Sequence, residues 1–312
     1  MPFSIKVLPL STFETIQISD STQNNSIEIV TKGGLLNAWR MQNEQSSINI
    51  IAGNDFSNGW RAFEKNGFRS GKMSPFACRL NEGKYSYEGK TYQIEKFYLG
   101  DHALHGILYD AQFTIKSTHI SESAGTVILQ YDYQSSDAGF PFNYSMEVEW
   151  KLEKHNKVSV QTTITNHTNH SIPMVDGWHP YFTLGSAVDS YTLKFACAGQ
   201  LEYDAALLPT GRILSEHGFE QGKLLNGIEL DNGYVQEEPA NLCTLENDRY
   251  ALFIQPIKGY SYLQIYTPPN RNSIAIENLS GAPDCFNNKI GLQLVEPYAQ
   301  MEFATSYQCI VK

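Results

Sequence analysis

Tyr144-Ser145-Met146-Glu147-Val148-Glu149-Trp150, followed shortly by Val158-Ser159-Val160-Gln161-Thr162-Thr163-Ile164, is the stretch whose reading decides the fold. In the first run Tyr144, Met146, Val148 and Trp150 alternate with Ser145, Glu147 and Glu149. In the second, Val158, Val160, Thr162 and Ile164 alternate with Ser159, Gln161 and Thr163. A period of two puts one set of side chains on each face, as a half-buried antiparallel strand requires. Glu153-Lys154-His155-Asn156 is the join between the two predicted strands.

The pattern repeats outward in both directions. Ser26-Ile27-Glu28-Ile29-Val30 stops at Lys32-Gly33-Gly34, and Leu35-Leu36-Asn37-Ala38-Trp39 is predicted to pair with it across that turn. Lys84 to Tyr92 alternates about Glu88-Gly89, a hairpin signal. Downstream, Tyr191–Phe195, Ser261–Tyr266, Ser273–Glu277, Gly291–Glu296 and Ser306–Val311 read as strands, separated by breakers such as Pro209-Thr210-Gly211 and Thr267-Pro268-Pro269-Asn270. No ten-residue segment carries a 3.6-residue apolar period. Many short strands between Gly, Pro and Asn turns predict an all-β sandwich or barrel. With no linker, repeat or low-complexity tract, residues 1–312 are expected to form a single domain.

Composition narrows the function. A formal net charge of −10, with no Lys/Arg run to offset it, argues against nucleic acid and anionic membranes as partners. Cys78, Cys197, Cys243, Cys285 and Cys309 are odd in number and contain no C-x-x-C pair, so buried reduced thiols are expected. The Met1–Lys6 start carries no leader pattern, and no apolar run is long enough to span a bilayer; a cytoplasmic location is expected. Phosphate-loop, dinucleotide and nucleophile-elbow motifs are missing from the sequence.

Chemistry concentrates in Gly177-Trp178-His179-Pro180-Tyr181-Phe182. Pro180 restricts His179 to extended geometry, so the imidazole is predicted at a strand end. Trp178 and Tyr181 offer flat faces suited to stacking on the C–H face of a sugar, although a core histidine in an aromatic cluster fits equally. Arg79 lies among apolar neighbours, which suits either a structural ion pair or a grip on sugar hydroxyls. His102 and His105 could share a metal if helical, but Gly106 ends the segment, so a turn with one exposed and one buried histidine is favoured. Asp231 precedes Asn232-Gly233 and reads as a turn-capping carboxylate. Glu277 and Glu296 each end a predicted strand.

Taken together, these segments resemble the aldose 1-epimerases (galactose mutarotases) over nearly the whole chain. Gly177–Phe182 is similar to the family's His-Pro-Tyr-Phe signature. Pro75–Arg79, with the Gly83–Tyr92 hairpin, resembles its arginine segment. Ala103–Gly106 resembles its first histidine motif, Leu208–Gly211 a recurrent turn, and Ile276-Glu277 with Pro283–Asn287 its glutamate segment. The resemblance implies a large antiparallel β-sandwich with a sugar in an open cleft. It implies Glu277 as base, His179 as acid, His105 near the ring oxygen, and Arg79 and Asp231 on hydroxyls. Anomer exchange needs one base and one acid, with no metal or organic cofactor. The Pro283-Asp284 pair favours Glu277 over Glu296 as the base. Rival readings are a hexose-6-phosphate epimerase on the same fold, a non-catalytic carbohydrate-binding protein, and a metal site using His102, His105 and an acid.

Overall fold

The two deciding runs become the strands Tyr144–Glu153 and Lys157–Asn166, paired antiparallel from Tyr144↔Asn166 to Glu153↔Lys157. This is seen in a computed structural model, which describes residues 1–10, 12–42, 47–57, 59–60, 63, 66–237 and 242–312. The expected 1–312 unit also spans positions 11, 43–46, 58, 61–62, 64–65 and 238–241, which lie outside the described residues. Tyr144, Met146, Val148 and Trp150 are all buried, and their alternating neighbours are half-exposed. Each such buried apolar side chain contributes roughly 1.5–3 kcal/mol.

These strands belong to a nine-stranded sheet. Next to Lys157–Asn166 lies Gln300–Val311, and beyond it Tyr250–Lys258. An eight-stranded sheet faces it, running Pro209–Leu214, Gly199–Tyr203, Asp231–Val235, Tyr262–Tyr266, Ile274–Leu279, Gly177–Trp178 and Lys72–Met73, with Tyr181–Phe182 also on Ile274–Leu279. A five-stranded meander, Phe3–Leu10 to Ser47–Asn49, forms a third sheet. All pairings between named neighbours in these sheets are antiparallel, as the sequence led us to expect.

The inner faces of the two large sheets meet in one hydrophobic core, which makes the fold a sandwich rather than a barrel. Trp150 meets Trp178 edge to face at 5.2 Å, and Phe182 packs on Tyr307 at 5.3 Å. Asn278 Nδ2 donates to Thr305 Oγ1 across the gap at 2.8 Å. The same core holds a fully buried ion pair. Lys72 Nζ lies 2.6 Å from Asp176 Oδ2, donates to Thr162 Oγ1 at 3.0 Å, and sits 4.2 Å from the Trp178 ring centroid. The Tyr260 hydroxyl donates to Asp176 Oδ2 at 2.7 Å. Burial pushes the Lys72 ammonium down to about 8, against the opposing pull of Asp176.

The Lys84–Tyr87 and Lys90–Gln93 hairpin turns at Glu88-Gly89, both with positive φ (48° and 75°), the geometry a two-residue hairpin loop requires. All five cysteines are buried and unpaired. Among the described residues, no helix is long and apolar enough to cross a membrane.

Candidate active site

Glu277 is the centre of the site, and its strand explains why. Ile274–Leu279 is buried at every position. The sequence placed Glu277 at a strand end, but the strand continues two residues past it, because pairing with Tyr262–Tyr266 extends to Tyr262↔Leu279. The Glu277 carboxyl is therefore held on an interior strand, 1% exposed. It faces a cleft of about 300 Å³, at the lower end of the range typical of small-molecule sites.

His179 reaches the same cleft from the two-residue link between Gly177–Trp178 and Tyr181–Phe182. Its backbone is clamped on both sides: its N–H donates to Gly71 O at 3.0 Å, and its O accepts from Ser70 N at 2.8 Å. His179 Nε2 lies 3.2 Å from Glu277 Oε1. The expected acid and base thus touch each other rather than flank an open gap. His105 stands perpendicular to His179, with ring centroids 5.0 Å apart, and Tyr181 stacks on His179 at 5.0 Å.

Arg79 and Asp231 line the cleft as well. The expected turn-capping role of Asp231 is overturned: Asp231 begins the strand Asp231–Val235, and Asn232-Gly233 continues it. Gly233 serves a close approach rather than a turn, since a Cβ there would lie 2.1 Å from the Tyr203 hydroxyl. That hydroxyl donates to Gln264 Oε1 at 2.9 Å, and Gln264 Nε2 donates to Asp231 Oδ1 at 2.9 Å.

Two further sequence candidates fall elsewhere. Trp178 does not line the cleft; strand alternation turns it away from His179 and into the inter-sheet core between Trp150 and Lys72. Glu296 is exposed on another edge, where its Oε2 accepts from the Ser171 hydroxyl at 3.0 Å. His102 lies on a strand, not a helix, and its Nδ1 accepts from Glu82 N at 3.1 Å, which removes the geometric premise for a His102–His105 metal pair.

Reasoning from sequence missed Phe68, Tyr203, Gln264 and Tyr266, which also line the cleft. Gln264 carries the one usable signal, a polar residue inside an apolar strand, but its partner Glu277 becomes visible only with the register. Phe68, Cys78 and His105 line the cleft with φ near +55°, +52° and +58°. Non-glycine residues in this region cost about 1–3 kcal/mol each and gather where surrounding structure enforces a shape. Asp284 supplies part of that enforcement. Its N–H donates to Arg79 O at 2.7 Å, and its Oδ1 accepts from Asn81 N at 2.8 Å and Asn287 Nδ2 at 2.7 Å.

Burial sets the protonation states. It pushes the Glu277 carboxyl well above the usual range, helped by the negative charge of Asp231. It lowers the His179 imidazole to about 4, and His105 well below its usual value, where His179 and Arg79 add to the effect. Asp231 is raised by burial, against the opposing Arg79 charge and the Gln264 hydrogen bond. With Glu277 raised and His179 lowered, the uncharged pair is favoured over the charge-separated one at this contact.

A buried carboxylate–imidazole pair lining a cleft on an antiparallel sandwich is an arrangement chemically able to exchange protons with a small molecule. The sequence model of the aldose 1-epimerase family matches residues 14–308, and the chain belongs to that family. The Escherichia coli (strain K12) protein YihR is 25% identical over 234 residues, covering 72% of this chain and 73% of its own. A galactose mutarotase-like protein from Clostridium acetobutylicum shares the fold with a TM-score of 0.86 at 16% identity, over 100% of this chain and 99% of that one. A galactose 1-epimerase from Lactobacillus acidophilus NCFM does so at 0.82 and 15%, over 99% and 98%.

Proposed function

We propose that the protein interconverts the α and β anomers of an aldose, with Glu277 as base and His179 as acid. The observation that carries this reading is the 3.2 Å contact between His179 Nε2 and Glu277 Oε1 in a cleft shared with His105, Arg79 and Asp231. The resting pair carries its one proton on Glu277, and the reaction proceeds from the form in which that proton has passed to His179 across their contact. Glu277 takes the proton from the C1 hydroxyl while His179 gives its own to the ring oxygen. The C1–O5 bond breaks, its electron pair stays on O5, and C1 becomes an aldehyde carbon. Rotation about C1–C2 presents the other face, and the reverse transfers close the ring. The pair begins and ends with one proton, so no exchange with solvent is needed. Burial disfavours the charged Glu⁻/HisH⁺ form, which makes the carboxylate a stronger base than a solvated one when it acts.

His105, neutral, donates a hydrogen bond beside the ring oxygen. Arg79 and Asp231 hold hydroxyls further along the ring. Among the described residues the cleft sets one guanidinium, Arg79, against the carboxyl groups of Glu277 and Asp231, a balance that favours a free hexose over a hexose 6-phosphate. An acid–base pair of this kind is also superfluous in a protein that only binds sugar.

General acid–base groups typically contribute about 10²–10⁴-fold each. Glu277→Gln and His179→Asn are each expected to cut mutarotation of freshly dissolved α-glucose or α-galactose by at least ~100-fold in polarimetry, with the fold retained. A near-wild-type rate in either variant removes that residue from the mechanism.

A further inference from the structure

A working imidazole is usually aimed by a hydrogen bond to its second ring nitrogen. His179 lacks one. Its Nε2 meets Glu277, but its Nδ1 is buried and finds no partner on any other described residue. What holds the ring is stacking. Tyr181 lies nearly parallel to it, 12° apart at 5.0 Å, and His105 stands against it edge-on. The aim of His179 therefore depends on whatever holds Tyr181.

Arg69 does so from outside the cleft lining. Its guanidinium carbon lies 5.7 Å from the Tyr181 ring centroid, within the reach of a cation–π contact. Nη1 donates to Gly53 O at 3.2 Å, and Nε is buried without a partner. Backbone bonds close the bracket: Asn54 Nδ2 donates to Arg69 O at 3.0 Å, and Ala52 N to Tyr181 O at 2.8 Å. Asn54 is tied in turn to Asn37 on the strand Leu35–Gln42. Its N–H donates to Asn37 Oδ1 at 2.8 Å, and its O accepts from Asn37 Nδ2 at 3.2 Å. Gly53 permits this approach, since a Cβ there would lie 1.9 Å from Asn37 O. The N-terminal meander thus reaches His179 through Arg69 and Tyr181.

We propose that Arg69 is a positioning residue: by fixing the plane of Tyr181 it fixes the plane of His179, and a cation on an aromatic ring takes the place of the missing hydrogen bond. The proposal rests on the reading of His179 as the acid.

Polarimetry on Arg69→Met, Arg69→Lys, Tyr181→Leu and Arg69→Met/Tyr181→Leu tests it. Arg69 is half-buried, and methionine keeps its apolar stem. Arg69→Met is expected to lower kcat roughly 5- to 30-fold, the worth of one partly buried cation–π contact, and to change KM less. Arg69→Lys keeps a cation over the ring and is expected to recover most of the rate. Once Tyr181 is leucine, Arg69→Met is expected to cost nothing further. A loss carried by KM, a lysine variant as slow as the methionine one, or an equal cost without the tyrosine ring overturns the proposal. Proton NMR of the histidine rings gives a reading without turnover. The ring current of Tyr181 shifts the His179 ring protons, and Arg69→Met is expected to move them toward their positions in Tyr181→Leu. Unmoved protons remove the positioning role alone; moved protons in a chain that does not mutarotate sugar remove the chemistry alone.

Discussion

Replacing Asp176 by asparagine leaves the Lys72 ammonium in the core with its hydrogen bonds but without its counter-charge. Both side chains are 0% exposed, so water offers no compensation. Breaking such a pair from one side typically costs about 3–5 kcal/mol, most of it the penalty of an unpaired buried charge. At an unfolding entropy of about 2.1 cal/mol/K per residue, a chain of 312 residues loses about 5–8 °C of Tm for that cost. Scanning calorimetry at pH 7 reads this directly. The double variant Lys72→Met/Asp176→Leu removes both charges and is expected to recover most of the loss, since well-packed apolar replacements of buried pairs are often neutral or stabilising. His179 is held by its own backbone bonds to Ser70 and Gly71, so folded Asp176→Asn is expected to mutarotate sugar far better than His179→Asn. A Tm drop of under about 1.5 °C, equivalent to about 1 kcal/mol, would refute the reasoning by showing that Lys72 sheds its proton at no cost.

Three other outcomes follow from the site. Activity requires a pair with one proton, and the pair takes up a second only as His179 titrates; kcat/KM is thus expected to hold through pH 5 and fall toward about 4, whereas an acid limb near 6.5 would mean that His179 is not depressed. Glu277 has a raised folded-state pKa, so the stability it contributes is complete below its ordinary 4.5 and is lost as pH rises through the elevated value. Glu277→Gln is therefore expected to melt higher than wild type at pH 7–8 and level with it near pH 4, and equal melting at both pH values would contradict the raised pKa. Gly233→Ala places a methyl on the Tyr203 hydroxyl and breaks its bond to Gln264; steady-state kinetics should show KM raised roughly 2- to 12-fold, the worth of one hydrogen bond, with a smaller change in kcat.

The fold was legible where burial is one-sided. Tyr144–Trp150 and Val158–Ile164 announce their faces because one side meets solvent, and the turn at Glu88-Gly89 announces itself through residues that tolerate positive φ. The strand Ile274–Leu279 was harder to delimit, since burial on both faces erases alternation. His179, Glu277, His105, Arg79, Asp231 and Tyr181 were found as residue types in motifs, and all line one cleft. Trp178 was misplaced because a motif lists neighbours in sequence, whereas a strand sends neighbours to opposite faces. Asp231 was misread because Asn-Gly commonly turns a chain, and only the Tyr203 side chain, about thirty residues away, shows why a glycine stands in that strand. The direct His179–Glu277 contact and the Tyr203–Gln264–Asp231 chain depend on register between distant strands, which local pattern does not encode.

Asp284 fastens the backbone at Arg79 and Asn81 to a segment some two hundred positions later in the chain. The guanidinium and the glutamate strand are thereby parts of one mechanical piece, although synthesis delivers them at opposite ends of the polypeptide. A sequence that drifts at this aspartate must find another rivet for its arginine or surrender the arginine's aim. Such an acid, silent in the chemistry, is the kind of position by which distantly similar chains can be sorted into those that still grip a sugar and those that have kept only the scaffold.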